Sequence, residues 1–88
     1  MTLLNLNPVL ETLSELSNDL VIPRNIRSKA ELVSMLLQDE GESMETRKNR
    51  ALQHLEDMSF DTNINMSIRT MIYQVLSMVE SLSGNQKV

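Results

Sequence analysis

Apolar residues recur along this chain at three- and four-residue spacings, the pattern typical of amphipathic helices. Each of four segments carries such a stripe, and Leu20 continues the stripe of the first. The predicted helices run from about Pro8 to Ser17, from Pro23, from just after Ser43, and from about Met66 to Leu82. No segment alternates apolar and polar residues as a strand does. The pattern therefore predicts an all-α fold.

Residues that favour helix ends stand at the predicted boundaries. Proline suits the first turn of a helix because its missing N–H would have no partner there, so Pro23 is predicted at the first helical position. Ser43 and Asn65 can accept backbone N–H groups and are expected to cap the third and fourth helices. Gly41 and Gly84 are expected to end the second and fourth helices.

The chain matches itself when it is shifted by 42 residues. The identical pairs are Leu13 and Leu55, Ser17 and Ser59, Asp19 and Asp61, Ile22 and Ile64, Ile26 and Ile68, Arg27 and Arg69, and Val33 and Val75. Apolar spacing alone would align any two amphipathic hairpins, but it does not account for the polar matches. We interpret residues 9–37 and 51–79 as two copies of one helical hairpin.

The length of this repeat predicts how the helices associate. A helical hairpin that recurs every 40 to 47 residues is typical of HEAT and armadillo units. Because one hairpin cannot bury its apolar face alone, a second copy is expected to pack on it. The prediction is a single domain over residues 1–88, a four-helix bundle built from two repeated hairpins as a HEAT-like pair. A pair that stayed open would instead be a short solenoid with an uncovered face.

Four charged residues occupy equivalent positions in the two copies. Asp19 and Asp61 lie in loops just before a helix, and Arg27 and Arg69 lie about one turn into that helix. A carboxylate at such a position can accept backbone N–H groups or pair with an arginine. We expect these charges to pair and to fix the stacking of the repeats, in preference to a binding or catalytic role.

Composition limits the protein to one modest core. A chain of 88 residues makes one domain. Its apolar residues include seven methionines but only one phenylalanine, one tyrosine and no tryptophan, so the core must be built from aliphatic side chains and methionine. The absence of cysteine excludes disulfides and thiolate metal sites.

Charge and hydropathy predict a cytoplasmic protein. The first ten residues carry no lysine or arginine and are interrupted by Asn5, Asn7 and Pro8, which does not fit a signal peptide. No apolar run reaches the roughly 18 residues of a membrane span. A net charge of -4 disfavours general attraction to nucleic acid or anionic lipid.

No catalytic motif is present in the sequence. The single histidine, His54, shares a helix face with Asp57, but two ligands are too few for a closed metal site. No serine lies in a nucleophile-elbow motif. The two glycines do not form a phosphate-binding loop. The sequence predicts no enzyme activity, cofactor, metal or small-molecule substrate.

Six of the eight cations fall in two short clusters. They are Arg24, Arg27 and Lys29 in the second helix, and Arg47, Lys48 and Arg50 in the third. If the fold joined the clusters, the resulting anion patch would suit a nucleic-acid- or ribosome-associated protein. No aromatic residue lies among these cations to stack on bases. The alternative is a solvated face that pairs with Glu31, Glu42 and Glu45.

The fourth helix is apolar over more than one stripe, which favours packing against another chain. Methionine is also common on adaptable binding surfaces. The leading hypothesis is therefore a protein–protein interaction or assembly module that self-associates.

The segment VIPRNIR at residues 21–27 and its echo INMSIRT at residues 64–70 resemble a small archaeal family known as uncharacterised protein family number 0147. The likeness covers nearly the whole chain, and VIPRNIR is its distinctive part. The second half departs from the family pattern, with no proline at or near Asn65 and with few alanines in the third helix. The resemblance implies an archaeal cytoplasmic helical bundle and brings no activity, ligand or catalytic residue.

Overall fold

Four α-helices make up most of the chain in the computed structural model, which describes residues 6–82. They are α1 (Asn7–Asn18), α2 (Arg24–Leu37), α3 (Met44–Ser59) and α4 (Met66–Glu80). None of residues 6–82 lies in a strand. The all-α prediction is confirmed, and the predicted helix end at Gly84 lies outside the described residues.

Each helix buries one stripe at the spacing the sequence predicts, and the stripes meet in one core. The buried members of the helices are Val9, Leu13 and Leu16 from α1, Ile26, Ala30, Val33 and Leu37 from α2, Ala51, Leu55 and Met58 from α3, and Ile68, Ile72, Val75 and Val79 from α4. Fully burying such a large aliphatic side chain contributes about 1.5–3 kcal/mol relative to leaving it in water. The core is thus the main source of stability.

Short turns at residues 19–23, 38–43 and 60–65 connect the helices, so that successive helices run antiparallel. Each helix packs against the next in the chain, and α1 also packs against α4. These four pairs of neighbours form a ring around the core. The finer prediction of HEAT-like stacking is not confirmed by this arrangement.

The antiparallel order places the turns at two ends of the bundle. Turns 19–23 and 60–65 share one end, where Asn25 Nδ2 donates a hydrogen bond of 2.8 Å to Asp61 Oδ2. Turn 38–43 lies at the other end, together with the start of α1 and the end of α4. We call the first the apolar end, after its exposed residues Leu20, Val21, Phe60 and Met66. We call the second the acidic end, after Asp39, Glu40 and Glu42.

The predicted helix boundaries are partly corrected. Ser43 and Asn65 cap α3 and α4 as predicted, since each side chain accepts a backbone N–H from three residues later. Pro23 is the residue before α2 rather than its first residue. Leu20 lies beyond α1 and is exposed, so it does not continue the buried stripe. Gly41 does not end α2, which stops at Leu37.

Candidate functional site

Both predicted arginines bind backbone carbonyls rather than carboxylates. Arg27 Nε donates to the carbonyl of Ile22 at 3.0 Å. Arg69 reaches further back and donates to the carbonyls of Ser59 at 3.0 Å and of Asp61 at 3.2 Å. Within the described chain, neither Asp19–Arg27 nor Asp61–Arg69 forms an ion pair. The charge pairing expected from the sequence is therefore not found.

Both predicted aspartates accept a hydrogen bond from a backbone N–H within their own turn. Asp19 Oδ1 accepts the N–H of Val21 at 3.0 Å, and Asp61 Oδ1 accepts the N–H of Asn63 at 2.7 Å. An aspartate that accepts the N–H two residues later imitates a backbone turn, which is why this residue type favours such positions. The two halves of the chain therefore use the same local device at positions 42 residues apart.

The central turn repeats this device a third time. Asp39 Oδ1 accepts the N–H of Gly41 at 3.0 Å. Eight residues after Asp39, Arg47 donates to the carbonyls of Glu42 at 2.9 Å and of Leu37 at 3.1 Å. The spacing of eight residues between aspartate and arginine is the same in all three turns. We call this combination the Asp–Arg turn; comparison at a shift of 42 residues does not reveal its third copy.

Helix ends explain why an arginine recurs at this place. The last carbonyls of an α-helix have no partner within the helix. Many helices satisfy them with a residue of positive φ, but no residue in 6–82 has a positive φ. Arg47 and Arg69 instead bind the carbonyls of Leu37 and Ser59, the last residues of α2 and α3. A cation there also suits the negative end of the helix dipole.

Asp61 differs from the other two aspartates in its second oxygen. Asp61 Oδ2 accepts a hydrogen bond from Asn25 Nδ2, and this contact joins turn 60–65 to the start of α2. The pKa of Asp61 is lowered, first by the N–H of Asn63 and then by Asn25, against an opposing effect of desolvation. The charges of Lys29 and Arg69 lower this pKa further. The role predicted for Asp61 in holding the two halves together stays a prediction, and Asn25 is the residue through which it makes contact.

The cations of the predicted anion patch lie in two groups that begin at opposite ends of the bundle. The group at the start of α2 is Arg24, Arg27 and Lys29; the group at the start of α3 is Arg47, Lys48 and Arg50. Arg47 binds the carbonyl of Leu37, ten residues along α2 from Arg27, which is about 15 Å at the usual helical rise. The fold therefore does not gather these cations into one patch.

Several of these cations are also engaged locally. Arg27 and Arg47 are partly buried and donate to backbone carbonyls. Arg50 lies 3.8 Å from Glu42, with both side chains roughly half exposed. Such an exposed pair contributes little to stability. These contacts occupy hydrogen-bond donors of Arg27 and Arg47, although a hydrogen bond to a neutral carbonyl leaves the guanidinium charge in place.

His54 is a partly buried residue of α3. Its Nδ1 atom is buried and has no hydrogen-bond partner. Within residues 6–82, no group of three histidine, aspartate or glutamate side chains is arranged to hold a metal ion. Among these residues, the fold therefore brings no third ligand to His54 and Asp57, which share a helix face.

The apolar end carries four large hydrophobic side chains that the core does not use. Leu20 and Val21 in turn 19–23 are 81% and 83% exposed, and Phe60 and Met66 beside turn 60–65 are each 76% exposed. The remaining exposed hydrophobics of the described chain lie along the sides of α2 and α4: Leu32, Met35 and Tyr73. The Asn25–Asp61 hydrogen bond brings turn 60–65 against the start of α2, so both turns lie at the same end of the bundle.

The acidic end has the same turn with different side chains. Asp39, Glu40 and Glu42 lie in turn 38–43, and Glu45 lies in the first turn of α3. Turn 38–43 contains no large hydrophobic residue. Among the three Asp–Arg turns, the one at this end is therefore the one built for water.

Sequence reasoning missed the exposed residues of the apolar end. The signal was the apolar run Leu20, Val21 and Ile22 inside a predicted loop, where Ile22 alone is buried. Phe60 gave a second signal as the single phenylalanine of the chain, placed in a loop.

A family model matches residues 3–82, and its description is Uncharacterised protein family (UPF0147). The chain belongs to this family. A member from Thermoplasma acidophilum is 36% identical over 77 residues, covering 88% of each chain. A member from Archaeoglobus fulgidus is 39% identical over 79 residues, covering 89% of this chain and 88% of the relative. Both source organisms are archaea, and the resemblance stated from VIPRNIR is confirmed.

Two crystal structures are similar to this UPF0147 member over most of its length. A family protein from Thermoplasma acidophilum gives a TM-score of 0.84 at 36% identity, covering 88% of this chain and 91% of that one. A protein described as of unknown function gives a TM-score of 0.83 at 30% identity, covering 92% of this chain and 97% of that one. The fold is therefore shared with both proteins, one of which is described as a member of the same family.

A search of residues 6–82 for a membrane span found no helix with the length and apolar character to cross a bilayer.

Proposed function

We propose that this protein is a small helical interaction module that binds a protein partner through its apolar end. The observation that supports this proposal is the exposure of Leu20, Val21, Phe60 and Met66 on one end of the bundle. Clustered hydrophobic side chains in water are unfavourable, and on small proteins such clusters mark interaction sites. Aromatic residues and methionine are enriched in protein interfaces.

The composition of the core supports the same proposal, because the cluster buried within residues 6–82 contains no aromatic residue. Aliphatic residues and methionine fill the interior, while both aromatic residues of the chain are on the surface, Phe60 at 76% and Tyr73 at 50% exposure. At this exposure Phe60 adds little buried area to the fold. Its presence is explained by a contact with another molecule.

The nucleic-acid alternative receives less support. The two groups of cations begin at opposite ends, and Arg27 and Arg47 are occupied by carbonyls. A cytoplasmic location, predicted from the sequence, is part of the proposal.

The duplicated hairpin also remains a proposal. Its support is the equivalence of Asp19 with Asp61 and of their two turns. The occurrence of the same turn at Asp39 shows that the aspartate and arginine matches can also arise from the shared needs of helix ends. The Asn25–Asp61 contact between the two halves is not part of the repeat, since residue 67 is a serine.

Affinity capture from native cytoplasm tests the proposed function. The bait is the full chain, compared with Leu20→Ser/Phe60→Ser and with the control Met35→Ser, which removes a hydrophobic residue of 64% exposure from the side of α2. We expect one stoichiometric protein partner, or the chain itself, to be retained by the wild type and the control and lost by the double variant. Equal retention by all three baits would contradict the proposal.

A further inference from the structure

We infer that the apolar end binds the apolar end of a second copy of this chain, which gives an end-to-end dimer. This inference rests on the proposed function and specifies the partner. Leu20 and Val21 of one copy would pack with Phe60 and Met66 of the other, so that all four become buried in both copies.

Charge on the two ends favours contact between apolar ends. The apolar end carries both signs around its hydrophobic residues, with Arg24 and Lys29 beside Asp19 and Asp57. A surface with both signs can complement a rotated copy of itself. It offers no excess of cations for an anionic membrane or nucleic acid. Two acidic ends, in contrast, would place the carboxylates of turn 38–43 against each other.

The area of the end fits a weak, reversible dimer. The shorter extents of the chain are 21 and 19 Å, so an end-to-end contact has a footprint of about 400 Å² on each copy. The two copies together would bury roughly 800 Å², below the ~1,200–2,000 Å² of stable complexes and in the range of transient contacts. We therefore expect dissociation constants of about 10 μM to 1 mM.

Symmetry and chain path agree with this arrangement. Contact between identical ends is closed by a two-fold axis and stops at two copies, whereas contact of an apolar end with an acidic end would continue into a filament. The described chain begins at Leu6 and ends at Leu82, both at the acidic end. Both points are therefore about one helix length, roughly 20 Å, from the apolar surface.

Sedimentation equilibrium and small-angle scattering test the dimer. Over a concentration series we expect the mass to double and the maximum dimension to increase almost twofold, because the bundles lie end to end. Phe60→Ser/Met66→Ser should raise the dissociation constant at least tenfold, whereas Met35→Ser should leave it within twofold. A dimer whose maximum dimension hardly increases is side by side and would overturn the inference.

Site-directed cross-linking locates the contact independently. The chain has no cysteine, so Thr62→Cys and Glu40→Cys each place a single thiol in an exposed turn, at the apolar and the acidic end respectively. A short bismaleimide should join Thr62→Cys into dimers and leave Glu40→Cys monomeric. The reverse pattern overturns the inference.

The dimer and the proposed function can fail separately. If the protein stays monomeric up to about 1 mM, the inferred dimer is wrong. Capture of a different protein that is lost in Leu20→Ser/Phe60→Ser would then keep the interaction module and replace its partner. A monomer that captures no partner through this end would contradict both.

Discussion

The apolar and acidic ends of this bundle share one backbone device and differ in what they show to solvent. Turns 19–23, 38–43 and 60–65 each contain an aspartate that accepts the N–H two residues later, and the helix after each turn carries an arginine eight residues beyond that aspartate. At the position after the aspartate, the first two turns have Leu20 and Glu40. The aspartate and the arginine bind backbone groups at the turns, so the other residues of each turn can serve another purpose.

This comparison separates folding from function within a few residues. Asp61 and Arg69 at the apolar end, and Asp39 and Arg47 at the acidic end, have equivalent roles in the turn. Similar effects are expected at the two ends when Arg69 or Arg47 is lost. Unequal effects are expected for Asp61, whose Oδ2 also accepts a hydrogen bond from Asn25, and for the exposed side chains, which lie outside the device.

The largest expected effect is loss of an arginine that binds two carbonyls. Arg69→Met and Arg47→Met should each lower the free energy of unfolding by about 2 kcal/mol, because partly buried carbonyls lose charged donors. Urea denaturation measures this change. Arg24→Met, an exposed control, should stay within about 0.5 kcal/mol. If Arg24→Met is as costly as the other two, the Asp–Arg turn has no special structural role.

A smaller effect is expected from the helix caps. Ser43→Ala at the acidic end and Asn65→Ala at the apolar end should each cost about 1 kcal/mol, because each removes the acceptor of an N–H at the start of a helix. Thermal unfolding measures both variants. Cap losses that differ several-fold would show that the two ends are not built alike.

The stability that Asp61 contributes should depend on pH. The lowered pKa of Asp61 means that its carboxylate stabilises the folded state above the ordinary aspartate pKa of about 3.9. This contribution is lost as the pH falls through the lower, folded-state pKa. Urea denaturation from pH 5 to pH 3 should therefore show a shallower loss of stability in Asp61→Asn than in the wild type. Identical slopes would contradict the assignment.

The smallest effect on stability is expected at the exposed hydrophobic residues. Phe60→Ser and Met66→Ser should each change the free energy of unfolding by less than about 0.5 kcal/mol in dilute protein. Leu55→Ala, in the core, should cost about 2–5 kcal/mol in the same urea assay. A large loss in Phe60→Ser would mean that this residue serves folding, and the functional reading of the apolar end would then fail.

Local signals predicted much of the fold. The apolar stripes predicted four helices, and Ser43 and Asn65 were correctly expected to cap two of them. The end of α2 was placed at Gly41 because glycine commonly ends helices, but Arg47 satisfies the last carbonyl from the next helix. The contact joins Arg47 to Leu37 across turn 38–43. A pattern of neighbouring residues along one helix does not predict such a contact.

The candidate site was less predictable. The cations of α2 and α3 are close in sequence order, but antiparallel packing makes the two groups begin at opposite ends. Leu20 continued an apolar pattern that the helix itself does not continue. Asp19 and Asp61 each accept a backbone N–H within their own turn, and their expected arginine partners bind carbonyls instead.

By itself, the sequence determined the helices, their core-facing stripes and the family, because helical periodicity and a distinctive segment are properties of the chain order. The tertiary structure alone decided which end became apolar and what the arginines bind. Exposure and hydrogen bonding depend on which turns meet in space, and packing four antiparallel helices brings residues 20 and 60 to one end while it sends residue 40 to the other.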